Sequence, residues 1–217
     1  MSEQEMKREE VRQGGSTVAG SRTRIVAQVA MLGALAGILM NLEFPLPFLA
    51  PSFYQLDFSE VPVMVAGFAM GPVAGMLTEL VKILIHLVTK GTSTAFVGDF
   101  ANFLMGCAYI VPAAVIYRWN KRKTRKKAVL GMAAGIILTT AAACFLNIFV
   151  LLPLYSKAFG APIEAFIEMG KAVHSSVNGL AGFAFLIVAP FNLFKYTLVS
   201  VIVLLIYKRI RVILKGD

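Results

Sequence analysis

Three asparagines and a lysine stand inside long apolar runs: Asn102, Asn147, Asn192 and Lys195. In hydrocarbon the backbone is satisfied within helices, so a polar side chain at that depth needs a partner or a ligand. With a rise of about 1.5 Å per residue, Asn102 lies about 10 Å in from Ala95, Asn147 about 12 Å in from Tyr155 and Asn192 about 13 Å in from Phe183. Three carboxamides from three runs therefore reach similar depth, each offering two donors and an acceptor. Lys195 follows Asn192 at i+3 and shares its helix face. Any one asparagine is equally well explained as a helix–helix hydrogen bond. The group together with a buried cation predicts a polar pocket in the outer half of the bundle.

A second constellation is Glu79, Lys82 and His86, at i, i+3 and i+7 on one helix face. Its spacing allows a structural ion pair between Glu79 and Lys82, which removes the cost of two isolated charges; a proton relay is the alternative. His86 falls near the outer end of its run, an ordinary wetted position. Asp99, one turn outside Asn102, is placed to rim the pocket or cap a helix start. The chain has no phosphate loop, HExxH or GxSxG motif, so it has no visible means of using ATP itself and is not expected to be an enzyme. Cys107 and Cys144 lack metal-ligand spacing and are read as small packing residues; no metal and no cofactor are expected.

The elements that must position these groups are transmembrane helices. Of 217 residues, 58% are apolar and only 15% charged, with a mean hydropathy of +0.74. Such values exclude a soluble enzyme, a disordered regulator and a disulfide scaffold, leaving an all-α integral membrane protein in the lipid bilayer. Residues 1–21 are polar and read as a disordered tail, ahead of a membrane domain over 22–217. Six spans are predicted at about 25–43, 60–71, 72–88, 95–117, 128–155 and 183–207. The second is short and is separated from the third only by Gly71-Pro72. Between the first two, residues 44–58 hold three prolines and four phenylalanines. That composition precludes a regular helix yet is too apolar for a solvated loop, so a lid folded onto the bundle is expected. A short amphipathic helix is expected after Pro162.

Net charge of +9 raises the question of nucleic acid, but sixteen of the 21 basic residues flank the spans: five before the first, seven in 118–127 and four after the last. That is the positive-inside pattern, not nucleic-acid binding, and it puts both termini in the cytoplasm and the lid outside. On the first span Ala30, Gly33, Ala34 and Gly37 make a small-residue face that would admit a close neighbour.

At FPLPFLAPSFYQLDFSEVP, the Gly71-Pro72 step and the later PFNLFKY, the sequence resembles the riboflavin-specific S components of energy-coupling-factor (ECF) vitamin transporters. The resemblance covers about 25–210. It implies a six-helix subunit of the bacterial cell membrane that captures riboflavin from outside and is driven by a transmembrane coupling protein and two cytoplasmic ATPases. It also implies ligand contacts at Phe53, Tyr54, Gln55 and Leu56 of the first extracellular loop, and at Asn147, Asn192 and Lys195. Ala30 and Ala34 correspond best to the face that docks on the coupling protein. Asn102 joins the ligand set from its depth alone. A neutral ligand leaves the charge of Lys195 to be balanced by backbone carbonyls or Asn192. An autonomous proton-coupled carrier using Glu79, Lys82 and His86, or an S component for another vitamin such as thiamine, are the alternatives.

Overall fold

The structure, a computed structural model, describes residues 3–120 and 123–215, with side chains described over 22–120, 123–206 and at 209. Helix α1 (Glu3–Asn41) leads into a hairpin of β1 (Phe44–Pro45) and β2 (Gln55–Leu56). Then follow α2 (Glu60–Met70), α3 (Pro72–Thr89), α4 (Val97–Arg118) and α5 (Arg125–Leu146). A π-helical turn at Asn147–Leu151 joins α5 to α6 (Leu152–Phe159). After α7 (Ile163–Val173) and α8 (Gly179–Phe183), a second π turn, Ala184–Val188, opens the long α9 (Ala189–Lys215). The expected polar tail, 1–21, lies outside the residues whose side chains are described; its backbone is helical from Glu3.

Among the described residues, five stretches are long and apolar enough to cross a membrane: Arg22–Asn41, Pro72–Thr89, Val97–Arg118, Arg125–Phe159 and Gly179–Ile206. Helix α2 is apolar but has 11 residues. At about 1.5 Å per residue it covers roughly half of a hydrocarbon core of about 30 Å. It ends where Gly71 takes φ 112°, a left-handed value that glycine adopts without strain, and Pro72 starts α3. Arg118, at the end of α4, donates to the Ala69 carbonyl at 2.8 Å and so satisfies an orphan group at the end of α2.

Helix α3 packs between α1, α2 and α4, while α5 lies along α4 and α9. Two close approaches explain those neighbours. A Cβ on Gly33 or Gly37 would stand 2.5–2.6 Å from Val81 or Ile85 of α3. One on Gly131 or Gly135 would stand 2.5–2.6 Å from the Ala113 or Tyr109 carbonyl of α4. Small residues four apart thus let backbones meet in both places. Outward-facing side chains such as Met31, Ile38, Leu84, Val88, Ile137 and Phe149 are apolar and exposed, a surface suited to lipid.

As its prolines require, 42–59 forms no helix; it turns back as a hairpin pairing Phe44 with Leu56 and Pro45 with Gln55. The short helix after Pro162 is α7, with Phe166 and Gly170 buried and Glu164 and Glu168 exposed. Phe166 meets the ring of Phe53 edge-on at 5.9 Å, so α7 backs the lid.

Candidate functional site

A cavity of about 100 Å³ lies between α4, the α5 π turn, α9 and the lid loop. Asn102, Asn147, Asn192 and Lys195 all line it, and Phe53, Tyr54 and Gln55 close it from the lid. Leu56 is buried in β2 and does not reach it. The apolar part of the lid is an aromatic stack: Phe53 lies 4.8 Å from Tyr54 and 5.7 Å from Tyr155, and Tyr54 lies 5.3 Å from Phe191.

Both α5 and α9 pass the cavity at their π turns. Each neighbouring asparagine turns its amide nitrogen back onto the carbonyl four residues earlier. Asn147 Nδ2 donates to Ala143 O at 2.8 Å, and Asn192 Nδ2 donates to Val188 O at 2.8 Å. A carbonyl accepts only donors, so these bonds fix which end of each amide is left over. Both asparagines keep their Oδ1 acceptor for the site. At Asn147 it receives the Tyr54 hydroxyl at 2.5 Å.

Lys195 is paired with Asp57, Nζ to Oδ2 at 2.8 Å, with side-chain exposures of 5% and 2%. Backbone carbonyls and Asn192 were the expected counter-groups; an acidic residue of the lid segment takes that role instead, because a full negative charge answers a buried ammonium better than dipoles do. The other Asp57 oxygen accepts from the Ser59 amide at 2.8 Å and from the Ser59 hydroxyl. Burial opposes ionisation of Asp57, but Lys195 and then Lys82 outweigh it and hold the carboxyl low, at about 2. Burial pushes the Tyr54 hydroxyl well above the usual tyrosine range, so it remains a donor.

At the mouth, Gln55, with its amide turned so that nitrogen donates, reaches Glu43 at 2.8 Å, and Glu43 pairs with Lys90 at 2.8 Å. His86 is buried, its Nδ1 2.9 Å from Asn41 Oδ1 and its Nε2 3.7 Å from Asp99 Oδ1. Both His86 and Asp99 line the cavity. His86 is therefore not the wetted terminal residue expected, and Asp99 rims the pocket from the first turn of α4.

The second constellation stands apart. Lys82 lies 2.6 Å from Glu79, as its spacing predicts, and 2.8 Å from Glu60 at the start of α2. None of the three lines the cavity. Ala30 and Ala34 also lie away from it, Ala30 exposed and Ala34 half-buried, on a flank of α1 next to the glycines that meet α3. Glu43 on the cavity, Asp57 behind Lys195 and Glu60 opposite Lys82 are charged partners that sequence reasoning passed over. The available signal was the same one used for the asparagines, a charge inside an apolar stretch.

These features define a membrane protein with a lidded polar pocket in its helix bundle. The chain matches the model of the substrate-specific component of ECF transporters over residues 24–207, and it belongs to that family. It is 38% identical to the riboflavin transporter RibU of Staphylococcus aureus (strain TCH60), over 86% of this chain and 90% of that protein. It is 30% identical to the riboflavin transporter FmnP of Bacillus subtilis (strain 168), over 84% and 90% of the two chains. The RibU of Streptococcus thermophilus is 32% identical over 89% of this chain and 86% of that one. A solved S component of a bacterial ECF transporter superposes with a TM-score of 0.68 at 35% identity, covering 89% of this chain and 99% of the other.

Proposed function

We propose that this chain is the riboflavin-capturing S component of an ATP-driven ECF importer, with six membrane helices, both termini cytoplasmic and the lid outside. The observation that carries the reading is the convergence of Asn102, Asn147, Asn192 and Lys195 on one cavity under Phe53 and Tyr54, in a chain of this family. Riboflavin has a flat apolar ring system, an imide N–H between two carbonyls and a hydroxylated tail. Aromatic lid residues suit the ring, asparagine Oδ1 atoms suit the imide and hydroxyl donors, and Lys195 suits a carbonyl or hydroxyl oxygen. Pockets for ligands of this size run about 300–1,000 Å³, larger than the cavity here, so capture requires Phe53 and Tyr54 to move outward. Leu56 acts from behind, as the packed base of the lid.

The test is the visible spectrum of protein purified without added ligand, followed by titration with riboflavin and thiamine. Flavin absorbance and saturable riboflavin binding are expected; binding of thiamine alone would refute the reading. Uptake should vanish with loss of the partner ATPases and survive an uncoupler, the reverse of a proton-coupled carrier. Glu79 and Lys82 fit that carrier poorly, since they pair with each other and Lys82 also pairs with Glu60. The coupling protein is assigned to the Ala30/Ala34 flank of α1. Ala34→Trp should leave riboflavin binding near normal while complex assembly and ATP-dependent uptake fall. Joint loss of folding and binding would place that flank inside the subunit's own packing instead.

A further inference from the structure

Lys195 lines the cavity, but Asp57 does not. Asp57 nevertheless touches it through one atom, the Lys195 Nζ at 2.8 Å. Its place in the chain is also particular: it directly follows β2 of the lid hairpin and precedes α2. Its second oxygen is held by Ser59, whose amide and hydroxyl both donate to it, so the carboxylate cannot swing away from its own backbone. An ammonium has three donors, and Asp57 takes one, leaving the others for the cavity side.

Resting on the riboflavin reading above, we propose that Asp57 is a positioning residue for capture: it holds the Lys195 ammonium aimed into the cavity, and it ties the lid's base to the wall the ligand meets. The electrostatics require such a partner. An ammonium taken out of water needs a counter-charge to offset its desolvation. With Asp57 opposite, the direction of the ammonium is set by a carboxylate fixed at two further points. Lys82 does not substitute for this arrangement, since it is a cation itself and faces Glu60 and Glu79.

The experiment is riboflavin titration, read by flavin fluorescence, with melting curves alongside. Asp57→Asn should bind roughly five- to 150-fold more weakly. Adding Lys195→Met to Asp57→Asn should weaken binding no further than Lys195→Met alone, because Asp57 acts through that ammonium. Asp57→Glu keeps the charge but shifts Nζ, so it should recover part of the loss; with and without Lys195→Met it carries the same comparison if Asp57→Asn fails to fold. A lowered melting temperature with unchanged affinity, or a double variant weaker than Lys195→Met by the full Asp57→Asn deficit, would overturn the proposal and leave Asp57 a structural residue. Unmodified protein that binds no riboflavin would overturn the functional reading itself.

Discussion

Among the described residues two lysines are buried, and they have opposite surroundings. Lys82 has a side-chain exposure of 1%, stands between Glu60 and Glu79, and has no face on the cavity. Lys195 is nearly as buried at 5%, has one carboxylate, and looks into the cavity. Burial alone therefore does not mark a functional lysine. What separates the two is the number of charges closing around the ammonium: a lysine given more negative charge than it needs is locked, and a lysine given one partner still has donors to offer.

The sharpest way to break this comparison is at Lys82. Removing one member of a buried ion pair strands the others, at a cost of about 3–5 kcal/mol. Lys82→Met strands two carboxylates, so the melting temperature and the yield of folded protein should collapse. Whatever folds should bind riboflavin with near-normal affinity. A variant that stays stable but binds poorly would show that Lys82 belongs to the site after all.

Lys195→Ala should show the opposite balance. Leaving a buried ligand group unpaired costs about 1–3 kcal/mol, roughly five- to 150-fold in affinity. Its effect on stability should be smaller than that of Lys82→Met, because Asp57 keeps two bonds from Ser59 and the cavity side admits water. Calorimetric titration beside a melting curve separates the two profiles. Lost stability with intact affinity would merge the two lysines into one structural class.

Much of this arrangement is legible before any coordinates. Asn102, Asn147, Asn192 and Lys195 announce themselves because polar groups are expensive in apolar runs, and the helical rise alone brings them to one depth. The Gly71-Pro72 break and the non-helical 44–58 segment follow from backbone chemistry and appear as expected. Partner choice does not. Asp57 and Lys195 are separated by 138 residues, and Lys82 and Glu60 by 22, so only the packed bundle decides which acid meets which base. The hairpin has two residues in each strand, too few for any alternation to register. The π turns leave no pattern in the sequence, nor do the bonds from Asn147 and Asn192 back to Ala143 and Val188 that decide which amide atom faces the cavity. Gly131 and Gly135 carry the same four-residue spacing as Gly33 and Gly37 and set the α4–α5 contact; such spacings recur by chance in apolar runs, so the motif gains meaning only with its neighbour in place.

The smallest effect is expected at Glu79, and it sharpens the account of Lys82. Two carboxylates face one ammonium there, but unequally. Glu60 Oε1 accepts a well-aligned hydrogen bond from Lys82 at 2.8 Å, whereas Glu79 Oε1, 2.6 Å from the same Nζ, meets it as an ion pair of poorer geometry and Glu79 Oε2 has no hydrogen-bond partner among the described residues. The Glu79 carboxylate is fully buried against α4, so close that a Cβ on Gly106 would clash with its Oε1. Glu79→Gln keeps this shape, removes the surplus negative charge and leaves Lys82 with Glu60, a matched pair. Its stability should lie within about 1 kcal/mol of the unmodified protein, with riboflavin affinity unchanged. Glu60→Gln should cost more, because it removes the hydrogen-bonded acceptor and leaves Lys82 to a carboxylate held at poorer geometry. If Glu79→Gln proves the more damaging of the two, Glu79 is the true counter-ion of Lys82 and Glu60 the surplus charge.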